Sequence, residues 1–116
     1  MIKIKSCAAI DNCGAEILRA AIAIEPIFEE RGVDLVITSG SEIYRHSALR
    51  SAHYRGDAID VRSNSLPGVI KPAVLADIQK TLGRDYVVLL EASGRPQEHF
   101  HIHWSPMFHP EKKELL

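Results

Sequence analysis

The hydrophobic and polar positions of the chain change period several times, and each change marks an element. Residues 2–5 alternate apolar and polar, the pattern of a short edge strand. Asp11-Asn12-Cys13-Gly14 is turn-like and suited to cap a helix that starts after it. From about residue 15 to 31, Ile17, Ala21, Ile24 and Phe28 recur at steps of three or four, which predicts a helix with one apolar stripe. Pro26 should kink or split that helix, and Gly32 should stop it. Residues 33–38 read as a buried strand broken by Ser39-Gly40-Ser41, and 41–55 as an irregular loop rich in Arg, His and Ser. Alternation returns over 58–62, with Ala58, Asp60 and Arg62 on one face and Ile59 and Val61 on the other. A second helix is predicted over 69–82, with Pro72 in its first turn and Val74, Leu75, Ile78 and Leu82 facing inward. The apolar run 86–91, the connection Ser93-Gly94-Arg95-Pro96 and the segment 99–104 form an antiparallel hairpin.

This order of helices and antiparallel strands predicts an α+β fold: a small single domain whose antiparallel sheet carries helices on one face. Pro106 and Pro110 end regular structure, giving a domain over 1–110 and a C-terminal tail over 111–116. The length of 116 residues suits one domain with a modest core. A net charge of -1 argues against a general nucleic-acid binder. No apolar run approaches the ~20 residues needed to span a membrane, and the start of the chain lacks the apolar core of a signal peptide. A cytoplasmic monomer is expected. Cys7 and Cys13 do not form a CxxC pair and are expected to be reduced, partly buried side chains rather than a metal site.

The candidate chemistry lies in the last strand. His99, His101 and His103 alternate with Phe100, Ile102 and Trp104, so a row of imidazoles is backed by a row of large apolar groups. Half of the six histidines of the chain stand there, which favours a metal or proton-transfer site over a polar face that happens to use histidine. Alternate residues on one strand are ~7 Å apart, too far for three of them to close on one ion. A partner segment is therefore expected. His53 and Asp60 supply it, with Gly56 allowing the backbone to turn between them and Ala58 keeping the face free of bulk.

The run Ser51-x-His53-x-x-Gly56-x-Ala58-x-Asp60, followed by His-x-His on a later strand, resembles the zinc D-alanyl-D-alanine metallopeptidases. That group includes D-Ala-D-Ala carboxypeptidases and dipeptidases and phage L-alanyl-D-glutamate endolysins, and the Hedgehog signalling domain shares its fold. The resemblance covers roughly residues 36–106, including the lead-in Ile37-Thr38-Ser39-Gly40. It implies one zinc ion on the open face of the sheet, with His53 and Asp60 as ligands. The third ligand depends on register. Pairing His99 with His101 makes His101 the ligand and His99 a catalytic group; pairing His101 with His103 makes His103 the ligand. Relatives with Glu-x-x-His favour the first register, since Glu98 stands three before His101.

The implied function is zinc-dependent hydrolysis of peptidoglycan stem peptides, of the D-Ala-D-Ala carboxypeptidase or L-Ala-D-Glu endopeptidase type. The chain's small size is similar to versions carried by phages and prophages, which act at the bacterial wall after release. Glu98 is the first candidate for the general base and His99 the second. The basic loop holds Arg45, His46, Arg50, Arg55 and Arg62, and Arg45 is the candidate clamp for a substrate carboxylate. Ser51 either hydrogen-bonds in the site or caps its turn, and His109 is incidental. The alternative is a catalytically inactive zinc module of the same fold, used for binding or for structure.

Overall fold

The computed structural model describes residues 1–42 and 52–106. Arg45, His46, Arg50, Ser51, His109 and the tail 111–116 lie outside the described residues. In chain order the elements are β1 (Ile2–Ile4), α1 (Ala15–Glu29), β2 (Leu35–Ser39), β3 (Ala58–Arg62), α2 (Lys71–Leu82), β4 (Tyr86–Glu91) and β5 (His99–Trp104). Short 3-10 turns form at Ala52–Arg55 and Gly68–Ile70. The first of these gives regular structure to part of the expected loop 41–55.

The five strands form one sheet in the order β1-β2-β3-β5-β4. The architecture is a small α+β domain, and its sheet is mostly antiparallel. The exception is the β1–β2 pair, which is parallel, with Ile2 opposite Leu35 and Ile4 opposite Ile37. The expectation of a purely antiparallel sheet is corrected there. Helix α1 lies between these two strands in the chain and carries it back to the starting end of the sheet, the connection that parallel neighbours require.

Alternation sorts the sheet into two faces. Leu35, Ile37, Ile59, Val61, Val88, Phe100 and Ile102 point to one side and are buried. Both helices cover that side. Ile17, Ala20, Ala21, Ile24, Ile27 and Phe28 come from α1, and Val74 and Ile78 from α2. Phe28 and Phe100 meet edge to face, with centroids 6.2 Å apart, near the middle of this core. Leu75, Leu82 and Trp104 pack at its margin.

Pro26 does not split α1, which runs unbroken to Glu29. The proline sits in the last turn, so the hydrogen bond it removes is the one to the Ile22 carbonyl. Ile22 is exposed, and water can serve that carbonyl. Gly32 takes a positive φ of 72° just past the helix, as a stop signal requires. Both cysteines are free, and Cys7 is exposed rather than partly buried. No helix among the described residues is long and apolar enough to cross a membrane.

Candidate metal centre

The face away from the helices carries the polar ends of β3, β4 and β5. Register decides which of them meet. Asp60 lies directly opposite His101, Arg62 opposite His99, and Ala58 opposite His103. On the other flank of β5, Glu91 lies opposite His99 and Leu89 opposite His101. Asp60 therefore meets His101 as a cross-strand neighbour, and their Oδ1 and Nδ1 atoms are 3.0 Å apart.

His53 reaches the same carboxylate from the 3-10 turn. Its Nε2 is 3.2 Å from Asp60 Oδ1. Its Nδ1 donates to the Gly40 carbonyl at 2.8 Å. A carbonyl only accepts, so Nδ1 keeps its hydrogen and Nε2 is the nitrogen that faces Asp60, donating to it when the ring is protonated and offering a lone pair when it is not. Backbone geometry on both sides secures this placement. The register of β2 shifts between Ile37 and Ser39, a bulge that redirects the strand end toward the site. Gly56 turns the chain between His53 and Asp60 with φ of 75°.

Glu42 holds the Gly40 loop, a role the sequence pattern did not single out. Its buried carboxylate accepts from the amides of Ala9 at 2.9 Å and Gly40 at 2.8 Å, and from the Ser39 hydroxyl. Burial opposes its charge, but these donors outweigh burial and leave its pKa below the ordinary glutamate value. Glu42 thus anchors the peptide whose carbonyl orients His53.

His53, Asp60 and His101 each offer one ligand atom, and these atoms all lie within 4.8 Å of one another. Tetrahedral zinc with bonds of ~2.0–2.1 Å requires donor atoms roughly 3.3 Å apart. The separations of 3.0 and 3.2 Å from Asp60 Oδ1 fit that requirement. Two imidazoles and one carboxylate also form a donor set suited to a borderline divalent ion. The group can hold a metal ion. Burial works against the Asp60 charge, but hydrogen bonds from His101 and His53 overcome it and hold the carboxyl well below the usual range. Burial likewise opposes a charged His53 ring, yet Asp60 beside it raises its pKa. Protons and a cation compete for the same lone pairs here.

His99 stands at the edge of the group. Its Nδ1 donates to the Gln97 carbonyl at 2.8 Å. Its Nε2 faces Glu91 Oε1 at 3.1 Å and Asp60 Oδ1 at 3.6 Å. Glu91 also comes within 3.8 Å of His101 Nδ1, so a second carboxylate borders the centre. Sequence reasoning missed Glu91. Its signal was available as the polar end of an apolar strand, in hairpin register with His99. His103 is buried, with its ring 5.9 Å from that of His101, and it falls outside the His53–Asp60–His101 group.

Glu98 is buried in a separate network. It accepts from Ser63 Oγ at 2.6 Å, Lys71 Nζ at 2.5 Å and the Gly94 amide at 2.9 Å. The structure brings neither of its oxygens together with the histidine–aspartate group. Lys71, Ser63 and the Gly94 amide push its pKa down to about 2. The folded pKa lies below the unfolded value, so the stabilisation is present above pH ~5 and is lost as pH falls toward about 2. Glu98→Gln should cost about 2–3 kcal/mol at pH 7, by leaving Lys71 half-buried without its counterion. The gap between variant and wild type in urea unfolding should shrink steadily below pH ~5. A gap undiminished at pH ~3 would refute the network's role.

Compared with protein-family models, curated proteins and solved structures, the chain matches none.

Proposed function

We propose that the protein is a zinc-dependent peptidase acting on peptidoglycan stem peptides, of the D-Ala-D-Ala carboxypeptidase or L-Ala-D-Glu endopeptidase type. One observation carries this reading. The three residues that the Ser-x-His…Asp and His-x-His patterns nominate, His53, Asp60 and His101, converge within 4.8 Å from two strands and a 3-10 turn. A phage or prophage origin belongs to the same proposal, as does the cell wall as the site of action.

A bound zinc ion would supply Lewis acidity toward the scissile carbonyl and make a coordinated water more acidic. The remaining work falls to the chain. His53, Asp60 and His101 would hold the ion, and the Gly40 carbonyl keeps His53 in the tautomer whose Nε2 is available to it. His99 has Nδ1 committed to Gln97, so Nε2 is its working nitrogen, and that atom faces the centre. It can take the proton lost by the attacking water and pass it to the leaving amine, and while it holds that proton it can donate to the developing oxyanion. Glu91 Oε1 contacts the same Nε2 at 3.1 Å, and a substrate must displace that contact. The proton work falls to His99 rather than Glu98, because His99 Nε2 lies 3.6 Å from Asp60 Oδ1, whereas Glu98 is engaged with Ser63, Lys71 and Gly94.

The test combines metal analysis with digestion of purified cell wall and of D-Ala-D-Ala and L-Ala-D-Glu peptides. Stoichiometric zinc and hydrolysis abolished by a chelator are expected. His99→Gln should lower kcat by at least ~100-fold while zinc stays bound. Stoichiometric zinc without hydrolysis of any of these substrates would overturn the enzyme reading and leave a zinc-containing binding module.

A further inference from the structure

The open face continues past His99 into a cavity of about 300 Å³ that has no part in the chemistry described above. Its lining includes Lys5, Thr38, Arg62, Asn64, Glu98 and His99. The volume is that of a small ligand pocket. His99 belongs both to this cavity and to the edge of the metal group, so one side chain borders both. Register explains the position. Arg62 is two residues beyond Asp60 on the same face of β3, directly opposite His99, and Lys5 follows the edge strand β1.

Among the described residues, the charge lining the cavity is unbalanced. Glu98 is already matched by Lys71 at 2.5 Å. Among the described residues, no hydrogen bond or ion pair engages the side chain of Lys5 or Arg62. Asp60 and Glu91 lie on the same face, yet both are turned to histidines instead. Arg62 is half-buried. A half-buried guanidinium without a carboxylate of its own, facing a cavity, is a preformed site for a planar two-oxygen anion. Asn64 adds a polar group beside it, although its amide already donates to the Pro96 carbonyl.

We infer that this cavity is a carboxylate subsite, in which Arg62, assisted by Lys5, receives a free carboxylate of the peptide whose scissile bond lies over the metal group. The inference rests on the peptidase reading and deepens it. It is separate from the sequence-based candidate Arg45, which lies outside the described residues, and concerns a residue whose cavity is defined. Two stem-peptide carboxylates carry the required chemistry: a C-terminal D-Ala carboxylate and the free carboxylate of D-Glu.

The experiment uses zinc-loaded protein and two matched pairs of peptides. One pair ends in D-Ala-D-Ala as the acid or the amide. The other contains L-Ala-D-Glu with the D-Glu carboxylate free or amidated. Wild type should favour the acid of one pair by at least tenfold in kcat/KM, expressed in KM, and that pair identifies which carboxylate is recognised. Arg62→Gln should bring this acid-over-amide ratio close to one at unchanged zinc content and melting temperature, and Arg62→Lys should restore part of it. A ratio near one in wild type for both pairs, or a ratio that survives in Arg62→Gln, overturns the subsite and leaves the peptidase reading standing. If wild type hydrolyses neither pair, the peptidase reading fails, and calorimetric binding of the same peptides judges the cavity separately. Acid at least tenfold tighter than amide, dependent on Arg62, then supports the subsite; equal affinities or no binding overturn it.

Discussion

Gly56→Ala is expected to lower the unfolding free energy by more than about 3 kcal/mol and to remove metal binding with it. Gly56 has φ of 75°, where a side chain costs ~1–2 kcal/mol. That cost is the smaller part. A Cβ at this position would lie 2.1 Å from the Asn12 carbonyl oxygen and 3.1 Å from its carbon, both backbone atoms. One of two segments must then move. Shifting the 52–57 turn displaces His53, whose carbonyl accepts the Gly56 amide at 3.0 Å. Shifting the 12–14 loop breaks the bond from the Gly14 amide to the Gly56 carbonyl, at the entry to α1. Gly32→Ala is the control. Its φ of 72° is nearly the same. Nothing lies within 4 Å of its added Cβ, so only the ~1–2 kcal/mol conformational cost should appear. Urea unfolding and zinc content of the two variants give the comparison. Equal losses of stability, with zinc retained in Gly56→Ala, would show that the close approach to Asn12 has no role.

How much of this site could be read from the chain depends on the range of each signal. The two faces of β3 and β5 were legible, because side-chain alternation is a local property of a strand. His53, Asp60 and the histidine row were legible as residue types in sequence order. No local pattern carried their convergence, which the motif resemblance alone implied. Asp60 meets His101 only because β3 and β5 are sheet neighbours with Asp60 opposite His101, and 41 residues separate the two in the chain. Strand order is set by how all the apolar faces share one core, which no local window contains. The parallel β1–β2 pair escaped for the same reason. Glu42, Glu91 and Glu98 show a different limit. An isolated glutamate carries no pattern, and only the fold distinguishes one that holds a loop carbonyl in place from one that borders the site or closes a buried ion pair. Arg62 read as one more charge in a basic stretch until the sheet placed it opposite His99.

The register of the histidine row is decided by a pair of variants. His101→Ala should weaken zinc binding by more than about 100-fold, beyond what loss of a residue that merely orients a ligand costs. His103→Ala should leave the affinity within about threefold, well short of even that orienting effect. Position along the strand separates the two. His101 stands opposite Asp60, with donor atoms 3.0 Å apart, whereas His103 stands opposite Ala58, one pleat or ~7 Å further along the strand. The two variants should also differ in stability. His103 is 2% exposed between Ala58 and Val87, so its truncation opens space in a packed region and should cost about 1–3 kcal/mol. His101→Ala removes a donor from a buried carboxylate, so Asp60 keeps His53 but loses its shortest hydrogen bond within the metal group. That loss should be repaired in part by His101→Asn, whose amide can donate to Asp60 without supplying an imidazole lone pair. Zinc titration against a competing chelator, together with melting temperature, separates the two roles. If His103→Ala releases the metal and His101→Ala retains it, the ligand set moves one pleat along β5, and Asp60 must then turn away from the residue it faces.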